Sequence, residues 1–226
     1  MLIAALAPIL CAVAAPAFAQ NDLSTIGISA PVSACAMTST ETVTVTLFNY
    51  GSTLPAGTSF NVAYFVNAGA PVVELLTLGT ALISNSRLNY TFTTQANLSV
   101  PGSYSVVAMV ALAGDINPTN DALMAAPVLN SAPSVGGIVS GVSGPTLSGN
   151  QTLSGHTGSV LGWQQSDDGG FRWRRLANST TVQAFDQLRE HTQFRALVGN
   201  GPCAPTLSAP HTVLSSDPLF YSGFEP

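Results

Sequence analysis

The sequence predicts an all-β chain built as two antiparallel β-sandwiches in tandem, on three observations. Short runs of alternating apolar and polar residues recur about every ten positions. No stretch has the spacing of a long amphipathic helix. Of 226 residues, 46% are hydrophobic and only 8% charged, and serine and threonine fill about a fifth, a composition that suits half-solvated strands.

The chain opens on an apolar run, Leu2 to Val13, followed by Ala17-Phe18-Ala19. Small residues at Ala17 and Ala19 fit an Ala-x-Ala cleavage pattern, so residues 1–19 are expected to be a signal peptide cut between Ala19 and Gln20. No Lys or Arg precedes the run, which is atypical of such a leader. The run is too short for a membrane-spanning helix. The mature chain is therefore expected to be secreted, extracellular or at the cell surface, with no stable membrane span.

Residues 20–129 read as the first sandwich. Thr42 to Leu47 alternates strictly, with Val43, Val45 and Leu47 on one face and threonines on the other. After the Asn49-Tyr50-Gly51-Ser52 turn, Phe60, Val62, Tyr64 and Val66 form the next apolar face. Val72 to Thr77 and Leu88 to Thr93 give two more strands. Tyr104, Val106, Ala108, Val110 and Leu112 return to a period of two, and a last strand is expected through Leu123 to Val128. About seven strands at this spacing predict an antiparallel sandwich.

The order of several short motifs carries a resemblance. Asp22-Leu23, Glu41-Thr42-Val43-Thr44-Val45 running to Asn49-Tyr50-Gly51, Pro55-Ala56-Gly57, Val66-Asn67-Ala68-Gly69, Pro101-Gly102-Ser103-Tyr104 and the Asp115…Asn117…Asn120 turn resemble the CARDB family of bacterial adhesion-related Ig-like domains. The resemblance covers about Asp22 to Val128. It implies a seven-stranded Ig-like sandwich used as a surface or interaction module, and brings no catalytic residues with it.

Asn130 to Asn150 is rich in Gly, Ser, Pro and Val. It reads as a linker at 130–133 and then an irregular first strand of a second sandwich, 134–214. Further strands are expected around Val160 to Gln165, Trp173 to Leu176, Thr181 to Phe185, Phe194 to Val198 and His211 to Leu214. The polar stretch Gln187 to Thr192 could hold one helical turn. Leu153 to Val160, Trp163, Asp168-Gly169-Gly170…Trp173 and Phe194-Arg195-Ala196…Gly201-Pro202-Cys203 resemble Ig-like repeats of bacterial surface proteins. Such repeats often carry an earlier cysteine for the one at 203, and this chain has none in its second half. The tail, 215–226, ends in Leu219 to Glu225, similar to the aromatic-Gly-Phe-Glu endings of exported proteobacterial proteins.

If Cys11 leaves with the leader, Cys35 and Cys203 remain, 168 positions apart in different domains. Two separately buried thiols are the expected state. A bridge in an oxidising compartment is the alternative.

Several chemistries are excluded. All six basic residues are arginines, so no phosphate loop ending in Gly-Lys and no Schiff-base lysine can be drawn. A net charge of -5 argues against nucleic acid as a partner. No Gly-x-Ser-x-Gly elbow and no His-x-x-x-His pair occurs among the three histidines, so neither an enzyme nor a cofactor is expected. The expected partner is a protein or a glycan at a cell surface.

Two clusters remain. Asp115, Asn117, Asn120 and Asp121 place oxygens on one hairpin tip, where calcium could bind, but Asx-turn capping accounts for them better and no metal site is assigned. Ser166-Asp167-Asp168-Gly169-Gly170-Phe171-Arg172-Trp173 fits the Asp-box pattern, in which Asp168 accepts backbone N–H groups, Gly170 takes a positive φ and Trp173 packs beneath. Arg172, Trp173, Arg174 and Arg175 are the candidate ligand-binding residues. On a strand, Arg172 and Arg174 share one face and Trp173 and Arg175 the other. Arginine beside an aromatic can stack on a sugar or clasp an anionic polymer. The plainer reading puts Trp173 in the core and pairs the arginines with Asp167, Asp168 or Glu190.

Overall fold

Alternation sets the architecture. In the computed structural model, which describes residues 20–215, the strand residues that alternate inward are the ones that build the cores. The expected leader and the tail from Ser216 onward lie outside the described residues.

In the first domain, β1 (Leu23–Ala30), β2 (Ala34–Cys35), β3 (Thr44–Asn49), β4 (Ser59–Val66) and β5 (Val72–Thr77) come first. Then follow β6 (Arg87–Thr91), β7 (Gly102–Tyr104), β8 (Val106–Ala111), β9 (Ala122–Met124) and β10 (Val128–Ser131). One antiparallel sheet has the order β1-β3-β6 and faces a four-stranded sheet, β5-β4-β8-β9. Val43, Val45 and Leu47 meet Val62, Val106 and Val110 between the sheets, each at most 1% exposed.

The strand expected through Leu123 to Val128 is two. β9 pairs with β8, and after Ala125-Ala126-Pro127 the chain switches sheets, so that β10 pairs with β7 and, in parallel, with β2. A strand that changes sheets cannot keep one register, and a sequence period does not mark the switch. β10 also runs into the stretch expected as a linker, since Asn130 and Ser131 are its last two residues.

The second domain contains β11 (Ile138–Gly141), β12 (Gly149–Ser154), β13 (Ser159–Ser166), β14 (Arg174–Leu176), β15 (Val182–Phe185), β16 (Thr192–Gly199), β17 (Thr206–Leu207) and β18 (His211–Val213). Its sheets are β11-β12-β15 and β14-β13-β16, with β17 and β18 both on β16. Trp163, Phe194, Ala196 and Val198 are fully buried between them. The Trp163 indole N–H donates to Thr180 O at 2.8 Å, which lets a polar ring sit in the core. Gln187 to His191 forms no helical turn: Gln187 takes φ 52°, which breaks a right-handed helix at its first residue.

The junction corrects the cysteine reading. Cys35 and Cys203 are not separate thiols but a disulfide joining the two sandwiches. Cys35 ends β2 at the margin of the first domain, and Cys203 lies in the loop after β16. Around the bridge, Asn200 N donates to Ser134 Oγ, Asn200 Nδ2 to Ala132 O, and Ala36 N to Ser131 O. Gly201, at φ 54°, lies so close to β10 that a Cβ there would fall 2.5 Å from Ser131 Oγ. The bridge depends on this docking of one domain on the other, which no spacing within either domain encodes.

Candidate functional site

The Asp-box stretch folds as its residue types dictate. Asp168 Oδ1 accepts from Ser166 Oγ at 2.8 Å and from Arg172 N at 2.9 Å, while Ser166 Oγ accepts from Gly170 N at 2.9 Å. The hydrogen bonds from the Arg172 backbone and from Ser166 hold the Asp168 carboxyl below its ordinary range. Gly170 takes φ 95°, a region that disfavours any side chain. The turn delivers Trp173, whose indole N–H donates to Gly170 O at 2.9 Å.

Trp173 is half-buried and outside the core; Trp163 occupies that position instead. Register explains where the arginines go. Arg174 is opposite Gln165 and Arg175 opposite Gln164, which in turn faces Arg195 on β16. Because Phe194 and Ala196 point into the core, Arg195 points out, and its guanidinium lies 3.7 Å from the Trp173 ring centre. Trp173 and Arg175 therefore share the outer face of this sheet. Arg172 and Arg174 line the other side, with Asp167, Asp168 and Glu190. Arg172 and Trp173 precede β14, and the four candidate residues divide two and two between the faces.

The expected ion pairs do not form among the described residues. Asp167 accepts from Gln165 Nε2 and Thr192 Oγ1, and Asp168 from Ser166 and Arg172 N, so neutral donors occupy these carboxylates. The arginines bond neutral oxygens in turn: Arg174 to Gln165 Oε1, Arg175 to Leu161 O and Arg195 to Gln164 Oε1. Burial draws the Arg195 pKa down, as it must for a partly desolvated cation without a counter-charge. Arg195 is not among the candidate residues of the sequence, although the alternation of Phe194 to Val198 is enough to face it outward.

On the opposite side of β14 lies an open groove of about 540 Å³, between the sandwich edges β14 and β15. Leu176, Phe185 and Leu188 give it an apolar floor. Arg174 and Arg189 face Asp167, Asp186 and Glu190 around its rim, so its charge is mixed.

The first domain presents a different surface. On the outer face of β5-β4-β8-β9 three cross-strand rows run Leu75–Asn61–Ala111, Val73–Ala63–Met109–Ala122 and Phe65–Val107–Met124. None of these positions is charged. Val73, Leu75 and Met124 are 54%, 68% and 67% exposed, so the face meets solvent.

The hairpin tip at Asp115 closes on itself. Asp115 Oδ1 accepts from Asn117 N and Oδ2 from Leu23 N, while Asn120 Nδ2 donates to Asp22 Oδ1. These are turn and strand caps. Among the described residues, no group of three or more His, Cys, Asp or Glu side chains is placed to hold a metal ion. No helix there is long and apolar enough to cross a membrane.

Fold and junction together define the class: a tandem of antiparallel β-sandwiches. A family model described as a domain of unknown function (DUF8696) matches residues 138–216, the second sandwich. No curated protein matches. Among solved structures, domains A168–A170 of titin align at 15% identity over 85% of this chain and 66% of that one, with a TM-score of 0.43. The chain thus spans about two thirds of that fragment. The chicken CNTN1 FN1–FN3 domains align at 10% identity over 87% and 68%, with a TM-score of 0.37. The fibronectin(III)-like modules of Clostridium thermocellum CbhA align at 13% over 88% and 98%, with a TM-score of 0.30.

Proposed function

We propose that the chain is an exported, non-enzymatic interaction module, acting in adhesion at a cell surface or in the extracellular space. The observation behind this reading is the uncharged outer face of β5-β4-β8-β9, where Val73, Leu75 and Met124 stand in solvent. Four strands at sheet spacing and three rows make a face on the order of 400 Å², within the range of the largest apolar patches of single proteins, which are often functional. The Cys35–Cys203 bridge supports an oxidising compartment, in line with the expected leader. The carboxylates have structural work: Glu74 caps the Tyr90–Thr94 segment, Asp115 the start of β1 and Asp168 the Asp-box turn.

The test is binding of fluorescently labelled protein to cells of the producing organism. Val73→Asp with Leu75→Asp is expected to abolish surface binding while the circular dichroism stays that of a β-protein. Undiminished binding by the double variant would reject this face as the contact.

A second reading, glycan binding by Trp173 and its neighbouring arginines, is favoured by the placement of Trp173 on the outer face of the second domain rather than in its core. Loss of glycan retention on Trp173→Ala is its expected signature.

A further inference from the structure

We infer that the outer face of β14, β13 and β16 binds an acidic polysaccharide of sparse charge, one carrying a carboxylate or sulfate on every sugar or every second sugar, through Arg175, Arg195 and Trp173. The inference rests on the glycan reading above and adds the class of glycan.

Three observations lead there. First, the face is cationic, and among the described residues no acidic side chain pairs with its arginines. Its cross-strand rows are Gly162–Leu197–Leu207, Arg175–Gln164–Arg195 and Ser166–Gln193–Thr212, and none contains an acidic residue. The acids of this hairpin, Asp167 and Asp168, line the groove with Arg172 and Arg174, and Asp168 meets the outer face only through its bond from Ser166 Oγ. Five arginines against four acids in residues 134–214, and one against five in 20–128, make this domain the cationic part of an acidic chain.

Second, the guanidiniums are positioned and only partly used. Arg195 gives Nε to Gln164 Oε1 at 2.6 Å and its π-face to Trp173, which leaves both Nη groups to donate. Arg175 gives Nη2 to Leu161 O at 3.1 Å and passes over Gly162, where a Cβ would come within 3.3 Å of its Nε. Holding both cations in place before binding lowers the ordering cost that flexible arginines would impose. An anion would also supply the counter-charge that Arg195 lacks, by charge-assisted hydrogen bonds.

Third, the spacing is wide and the ring is already covered. Arg175 and Arg195 leave the sheet two strands apart, roughly 10 Å. That is a span that anions carried on every sugar or every second sugar of a chain can bridge. Because Arg195 occupies one face of Trp173, a neutral sugar cannot stack there, and the guanidinium makes the contact instead.

The test uses the purified full chain on immobilised polygalacturonate, dextran sulfate, neutral dextran and single-stranded DNA, at low and at physiological salt. The expected result is retention on polygalacturonate or dextran sulfate, weakened by salt, with none on dextran. Arg175→Gln and Arg195→Gln should each lower the affinity by roughly tenfold or more, whereas Arg87→Gln on the first domain leaves it unchanged. Equal urea midpoints for the variants would separate lost contacts from lost fold. Retention on neutral dextran alone, abolished by Trp173→Ala, would overturn the acidic class and leave the glycan reading standing. Retention on DNA as strong as on the acidic glycans, or acidic-glycan binding untouched by both arginine changes, would overturn the inference. No retention on any probe would overturn the inference and the glycan reading together.

Discussion

Glu74 sits on the inward face of the edge strand β5 and joins the two sheets of the first domain. It accepts from Tyr90 Oη at 2.5 Å, from Thr93 N and Oγ1 at 3.1 and 2.7 Å, and from Thr94 N at 2.8 Å. Burial pushes its carboxyl up, but these hydrogen bonds outweigh that and hold it down at about 2. Burial and then the neighbouring Glu74 push Tyr90 up to about 12. Since the folded pKa of Glu74 is below its ordinary 4.5, its contribution is whole above that pH and is lost as pH falls toward 2. Glu74→Gln is expected to cost about 2 kcal/mol near neutrality, after discounting for partial exposure. Its Tm should also fall less steeply than wild type between those two pH values, as thermal melts would show. Asp121 behaves in the opposite way. Burial, then Asp115 and Asp22, raise its pKa, and among the described residues its Oδ1 has no hydrogen-bond partner. A carboxyl with a raised folded pKa costs stability once ionised, so Asp121→Asn should shift the urea midpoint upward at neutral pH.

At the scale of elements, the lysine-free sandwich edge is guarded from within. An inward carboxylate on an edge strand would be left unpaired if β5 added to a neighbouring sheet in another register, which disfavours stacking of strands between molecules. The Asp-box turn is a second element with a sharp requirement. Gly170→Ala would strain a positive-φ position and bring a Cβ 3.0 Å from Gln193 Oε1, so it should cost about 1 kcal/mol or more in chemical denaturation. The inward positions Val43, Val45, Leu47, Val62, Val106 and Val110 were legible because strand alternation is local and repeats every two residues. The same rule places Arg174 and Arg175 on opposite faces of β14. It could not show that Ala125 to Pro127 switches sheets, that Gln187 breaks a helical turn, or that Arg195 lands on Trp173. Those outcomes depend on which strands become neighbours, and alternation within one strand does not report its partners.

For the whole molecule, the Cys35–Cys203 bridge closes a loop of 168 positions in sequence, spanning most of both cores. Chain-entropy reasoning puts its stabilisation at up to about 5 kcal/mol for a loop of this length. Replacing both cysteines by serine should lower the denaturation midpoint and separate the melting of the two sandwiches into two calorimetric transitions. A single unshifted transition would mean that the junction contacts of Asn200 and Ser131 suffice by themselves. Chain distance hid this pairing, because a contact between domains has no sequence period.

The bridge also decides where tension would travel. If the folded chain were pulled between Gln20 and Ser215, force would pass along the first strand to Cys35, cross to Cys203 and leave through β17 and β18. The chain from Ala36 to Pro202 would carry no tension along its own length inside a covalent ring, and β3 and β16 would feel the load only through their ladders to β1 and to β17 and β18. Rupture of the bridged form would release only about 27 residues, on the order of 10 nm of extended chain, against nearly 70 nm once the bond is reduced. Under shear this pair of sandwiches would act as a short inextensible strap whose yield length is set by a redox bond.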